Sequence, residues 1–143
     1  MRVVPPCLAM TDDDTVLDTP DAIREHLAAE LRLTGFRDRG LRIILCGERN
    51  QVLLHCHVAE LPPNVSDEDC RKTLCPWAFP IGGDLSGAMV VALTRPGPLT
   101  LTDSDRRWFR IAHAVCADHE VRLLGVHLAT PHGQRELVLD DAL

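Results

Sequence analysis

The chain has 143 residues, of which 45% are hydrophobic and 25% charged, a composition typical of a globular protein. This length corresponds to one domain, which is large enough to bury a hydrophobic core without disulfide bridges. The net charge is −6 and no basic cluster exceeds Arg106-Arg107, which disfavours nucleic acid as a partner. No apolar run reaches the roughly 20 residues that a bilayer span requires, so a membrane is not expected as a partner either.

The start of the chain does not resemble a signal peptide, because it holds a single charge and then Pro5-Pro6. The chain has six cysteines, and without a secretory signal we expect reduced thiols in a cytoplasmic protein. Three of them lie in apolar segments, where a thiol behaves as a small buried hydrophobic group: Cys46, Cys56 and Cys116.

Residues 1–17 are predicted to be a flexible tail, since two prolines and the acidic run 12–14 leave no periodic pattern. Met10 is a candidate for the true start of the protein. The rest of the chain, residues 18–143, is predicted to form a single domain.

The first helix has clear start and stop signals. Thr19 is placed to cap it, and Pro20 stands at the first helical position, where its missing N–H costs nothing. Gly35 is expected to end it. One apolar stripe at helical spacing predicts its buried side: Ile23, Leu27 and Leu31.

A hairpin and a second helix come next. Residues 41–46 and 51–60 are β-rich runs on either side of a polar turn, which predicts a β-hairpin. Ser66 begins a helix, with acidic residues in its first turn. Because Pro76 disfavours helical geometry at the preceding residue, this helix is expected to end near Leu74.

The last third of the chain completes the fold. Residues 88–93 form an uninterrupted apolar run, which predicts a strand buried on both faces at the centre of a sheet. After a loop, a helix is predicted over about 103–119, followed by strands at 121–130 and 135–139. The predicted fold class is therefore α+β, an α/β sandwich-like fold with a mixed sheet flanked by helices. The element order is α-β-β-α-β-α-β-β.

Two pairs of metal-binding residue types stand out. His55 and His57 lie two residues apart on a strand and therefore face the same side, and Cys70 and Cys75 lie on or beside the second helix. A structural zinc site needs four ligands, so these four residues form one only if that helix packs over the polar face of the strand. The interpretation we favour is that the histidines are ordinary polar residues of a half-solvated strand.

The segment Pro76-Trp77-Ala78-Phe79-Pro80 places two aromatic side chains between prolines, in an expected loop. Large aromatic side chains usually serve the core, so we favour a lid over it. The alternative is a protein-binding hot spot.

The most specific pattern follows the central strand. The chain reads Ala92-Leu93-Thr94, then seven residues, then Thr102-Asp103-Ser104-Asp105 at the start of a helix. This segment resembles the JAB/MPN metalloprotease-like domains, in particular their RadC-like branch, in which His-x-His, seven residues and Ser-x-x-Asp hold and orient a zinc ion. Thr102 stands at the serine position and Asp105 at the aspartate position. The positions of the two histidines hold Ala92 and Thr94.

The resemblance implies a JAB-like fold over roughly residues 40–140, with a degenerate site. Ala92 has no donor atom and the Thr94 hydroxyl is a poor zinc ligand, so no cofactor is expected. Asp105 is then expected to serve a capping box with Thr102. The favoured function is a non-catalytic interaction or scaffold protein of the cytoplasm, a pseudoenzyme whose partner is an unidentified protein or a second copy of the chain.

Two other functions remain open at this point. One is a zinc-dependent hydrolase whose ligands include His55 and His57 together with a cysteine or an acidic residue. The other is a small-molecule sensor, which predicts a closed cavity lined by Met89, Val91 and Phe109.

Overall fold

The computed structural model describes residues 2–8, 15–35 and 39–139, which form six strands and three α-helices. Two short 3-10 turns, Phe79–Ile81 and Gly83–Leu85, follow the second helix. In chain order the strands and helices are β1 (Arg2–Leu8), α1 (Pro20–Thr34), β2 (Gly40–Cys46), β3 (Val52–Ala59), α2 (Asp67–Ala78), β4 (Ala88–Thr94), α3 (Asp103–Asp118), β5 (Arg122–Thr130) and β6 (Gly133–Glu136).

The strands form one open mixed sheet in the order β1-β3-β2-β4-β5-β6. β4 and β5 are parallel and are connected through α3, and all other neighbours are antiparallel. Every residue of β4 is buried, which confirms the prediction of a central strand covered on both faces. The predicted α+β class with a mixed sheet and flanking helices is confirmed.

Helices cover both faces of this sheet. On the α1 face, Ile23 and Leu27 of α1 pack with Ile44, Val90 and Ala92 of the strands. On the opposite face, α2 and α3 build the larger hydrophobic core. That α2/α3 face includes Leu74, Trp108, Ile43, Val91 and Leu93.

The helix starts follow local capping chemistry, as predicted. Thr19 accepts a hydrogen bond from the backbone N–H of Ala22 at the start of α1, and Ser66 accepts one from Asp69 at the start of α2. Gly35 follows the last turn of α1 with φ 75°, a conformation that favours glycine.

α2 continues beyond the predicted end. The sequence favours a stop near Leu74, yet the helix includes Pro76 and ends at Ala78. Proline removes one N–H from the helix, but Leu74 and Ala78 are fully buried against the core, and that packing holds the last turn in place. The expectation of a loop from Pro76 onward is therefore wrong for its first three residues.

The two ends of the chain also differ from the predicted element order. Arg2–Leu8, inside the segment expected to be a tail, pairs with β3 as an additional edge strand. Its register shifts between Val4 and Cys7, where two prolines lack the N–H groups that a regular ladder uses. β6 begins earlier than predicted, at Gly133.

Candidate functional site

The carboxyl end of β4 holds a buried ion pair. Arg95 Nη2 donates to Asp105 Oδ2 at 2.9 Å, and the two side chains are 7% and 5% exposed. The same guanidinium donates to the carbonyl oxygens of Pro98 at 2.9 Å and Thr100 at 2.8 Å. Arg95 therefore fixes the loop between β4 and α3 and neutralises the acid at the start of α3.

Asp105 also completes the predicted capping box. Its Oδ2 accepts from the backbone N–H of Thr102 at 2.9 Å, and its own N–H donates to Thr102 Oγ1 at 3.1 Å. The capping box predicted for Thr102 and Asp105 is thus confirmed. One oxygen of this carboxylate accepts two hydrogen bonds, one of them from a cation.

The structure brings together only some of the positions that resemble the JAB site. Thr94 and Asp105 line the same narrow pocket beside Trp108, and Thr102 contacts Asp105. Ala92, by contrast, is fully buried among apolar residues of the α1 face. A zinc ion does not fit these residues, because Ala92 offers no ligand atom and the Thr94 hydroxyl is a poor zinc ligand, which leaves Asp105 alone.

Arg95 is the residue of this region that sequence reasoning missed. The sequence indicates only that Arg95 directly follows a buried strand and precedes a Pro-Gly loop. Nothing local shows that its side chain turns back to the acid ten residues further along the chain.

A second ionisable cluster lies between α1 and β3. His26 and Glu30 are one helical turn apart, and both reach His55 on β3. The Nε2 atoms of His26 and His55 are 2.8 Å apart, and His55 Nδ1 lies 3.6 Å from Glu30 Oε1. Arg42 of β2 donates to the other carboxylate oxygen, Glu30 Oε2, at 3.2 Å.

The environment lowers the pKa of both imidazoles, although Glu30 acts in the opposite direction on each. Burial lowers the pKa of His26, and the neighbouring His55 lowers it further. Burial likewise lowers the pKa of His55, with Glu30 acting in the opposite direction and Arg42 in the same one. Neutral imidazole is the form that ligates metal ions.

The four zinc ligands considered from the sequence are not brought together. His57 lies near Gly40 and Thr94, because a Cβ added to Gly40 would meet His57 Nε2 at 3.0 Å and Thr94 Oγ1 at 2.9 Å. Cys70 is fully buried in the core on the α2/α3 face, and Cys75 packs against that core. His55 faces α1 on the other side of the sheet.

A further buried histidine lies beside Ala92 of β4. His127 of β5 pairs in register with Ala92 and is 1% exposed. Neither of its ring nitrogens has a hydrogen-bond partner among the described residues. Burial, followed by the charge of Arg24, lowers the pKa of His127 to about 4.

The two aromatic residues after Pro76 have different environments. Trp77 is half-buried against the core, as a lid would be, whereas Phe79 is 76% exposed and meets His119 edge-on at 6.1 Å. Leu85, which follows closely in the chain, is 66% exposed.

The three residues expected to line a sensor cavity all pack in the hydrophobic core of the α2/α3 face, and Phe109 is 3% exposed. Met89 and Val91 are fully buried in the core. Phe109 lines an open groove of about 460 Å³ together with β5 and residues 136–139.

The chain matches no protein-family model and no curated protein. Among the described residues, no helix has both the length and the apolar character needed to cross a membrane.

Proposed function

We propose that this chain is a JAB-like domain of the RadC-like type that has lost the family's hydrolytic chemistry and works in the cytoplasm by binding another protein. The observation that carries the proposal is the buried pair between Arg95 and Asp105. A guanidinium supplies the positive charge that a zinc ion would otherwise bring to this acid, and it cannot activate a water molecule.

The arrangement of elements supports the same proposal. A hairpin, a helix, a central buried strand, a capped helix and two closing strands follow each other in the order that the resemblance implies. Five described cysteines are free thiols, which is consistent with a reducing compartment.

Two exposed hydrophobic side chains support binding to a protein. Phe79 and Leu85 lie in the short segment after α2, and exposed aromatic residues are enriched in protein interfaces. Leu53 on β3 is an exposed hydrophobic residue in another part of the fold and provides a matched control.

The catalytic part of the proposal is tested with zinc-loaded protein and fluorogenic peptide and isopeptide substrates. We expect no zinc-dependent turnover from the wild type, and the same background from Asp105→Asn. Turnover that requires zinc and is lost in Asp105→Asn would overturn the proposal.

The binding part is tested by affinity capture from the source cells, followed by identification and titration of the captured protein. We expect one protein to bind the wild type and Leu53→Ser with equal affinity and Phe79→Ser at least about tenfold more weakly. Light scattering of the purified chain shows whether that protein is a second copy. Equal capture by all three variants, or no specific capture, would contradict the proposal.

A further inference from the structure

The cluster between α1 and β3 has the composition of a metal site and lies away from the degenerate JAB-like position. Among the described residues, it is the group in which three metal-ligating side chains each place a ligand atom within 4.8 Å of the others: His26, Glu30 and His55. Two imidazoles and one carboxylate are a ligand set found in zinc sites that keep a fourth position open.

The packing of α1 on β3 brings the three side chains close together. His26 and Glu30 are four residues apart on α1 and so share one flank of the helix. β3 presents His55 to that flank, with the rings of His26 and His55 stacked at 5.0 Å between centroids. Ligand atoms of a tetrahedral zinc ion lie about 3.3 Å apart, so the three side chains, whose ligand atoms lie within 4.8 Å of one another, have to move closer together around an ion.

The carboxylate is oriented by a neighbour on β2. Arg42 donates to Glu30 Oε2 and leaves Glu30 Oε1 on the side of His55. Hydrogen-bonded carboxylates of this kind are common around metal ions, because the outer partner fixes the orientation of the ligand.

The site is accessible but not fully solvated. The side chains of His55 and Glu30 are 17% and 25% exposed, so solvent reaches part of each of them. Burial lowers the pKa of both histidines, which favours the neutral imidazole that ligates metal ions.

We propose that His26, Glu30 and His55 bind one divalent transition-metal ion of the zinc class, with its fourth coordination position open to water. The ion links α1 to β3. This inference does not depend on the proposed function, because the two sites share no residue.

The test starts from full-length protein freed of metal by chelation, to which zinc alone is added against a chromophoric chelator. We expect one zinc ion per chain. In His26→Gln and in His55→Gln the dissociation constant should rise by more than the roughly 100-fold that changes outside the ligand shell reach.

Two matched histidine variants are the controls. His57→Gln changes the same strand two residues from His55, and His132→Gln changes an exposed turn. Both should bind zinc as the wild type does. Loss of zinc binding in His57→Gln, with binding retained in His26→Gln, would overturn the proposal. Loss of zinc binding in His132→Gln, again with binding retained in His26→Gln, would also overturn it.

Cobalt spectroscopy of the wild type gives an answer that does not require any variant to fold. We expect the intense visible bands of four-coordinate Co²⁺, removed by one equivalent of zinc. Weak bands typical of six-coordinate Co²⁺, or no retained ion, would overturn the proposal.

Discussion

The carboxyl end of β4 and the α1 face both bury ionisable side chains, but those side chains find partners in different ways. At the end of β4, Asp105 accepts hydrogen bonds from Arg95 and Thr102. On the α1 face, Glu30 accepts a hydrogen bond from Arg42, and the ring nitrogens of His26 and His55 lie 2.8 Å apart beside it. His127 has no partner for either ring nitrogen among the described residues.

The two regions differ in the groups that surround the acid. A guanidinium attached to the chain is a permanent cation, so Asp105 is neutralised without any ligand from solution. Neutral imidazoles keep a lone pair that a proton or a metal ion can take. Both acids are paired with a guanidinium, so what distinguishes the α1 face is the pair of imidazoles beside Glu30, which the end of β4 does not have among the described residues.

The largest expected effect comes from breaking the pair at the end of β4. Asp105→Ala leaves the Arg95 charge buried without its counterion and removes the capping box. We expect a loss of about 3–5 kcal/mol in the free energy of unfolding, measured by urea denaturation.

Asp103→Ala is the matched control for Asp105→Ala. Asp103 lies in the same turn of α3, but its side chain is fully exposed and pairs with Arg106. The midpoint of urea denaturation of Asp103→Ala should stay close to that of the wild type. Similar losses in both variants would mean that the buried pair does not stabilise the fold more than a surface pair.

The next effect is a pH dependence of stability from His127. Its pKa is lowered from 6.5 to about 4 in the folded protein, so the unfolded chain binds the proton more tightly. The corresponding stability is fully present above pH 6.5 and is lost as the pH falls toward 4, by up to about 3 kcal/mol.

His127→Gln isolates that contribution, because glutamine does not titrate. The wild type should lose more stability than His127→Gln between pH 7.5 and pH 4.5 in chemical denaturation. His26 and His55 have lowered pKa values in both proteins, so their contribution is common to both. Parallel pH profiles would show that burial does not hold His127 neutral.

The sequence predicts contacts between residues that are close in the chain, and it does not predict contacts that depend on how the elements pack. Thr102 and Asp105 are three residues apart, so their capping box depends on one turn of chain. His26 and His55 are separated by 29 residues, and only the packing of α1 on the sheet brings them together. The four-residue spacing of His26 and Glu30 was visible, but their third partner was not.

Contacts between residues far apart in the chain also explain the wrong prediction for the end of α2 and the missed strand β1. The stop predicted near Leu74 rested on the backbone geometry that Pro76 imposes, whereas burial of Leu74 and Ala78 extends α2 to Ala78. β1 forms main-chain bonds to the edge of β3, which requires no hydrophobic pattern of its own.

Zinc should stabilise the α1 face by a moderate amount. A ligand present at about 100 times its dissociation constant adds about 2.7 kcal/mol to the free energy of unfolding, if the unfolded chain does not bind it. Thermal denaturation should therefore shift upward with zinc in the wild type and in His57→Gln, and not in His55→Gln. An equal shift in all three proteins would show binding elsewhere.

The smallest expected loss of stability separates the contribution of the Thr102 cap from that of the Arg95–Asp105 pair at the end of β4. Thr102→Ala removes the hydroxyl that accepts from the Asp105 N–H but leaves the Arg95 pair in place. We expect a loss of about 1 kcal/mol, equal to that of Ser66→Ala at the start of α2, because each substitution removes one N-cap hydrogen bond. Thr102→Ser should retain the stability of the wild type. A loss in Thr102→Ala as large as that in Asp105→Ala would mean that the cap, and not the guanidinium, holds this acid in place, and the argument that Arg95 replaces a metal ion would fail.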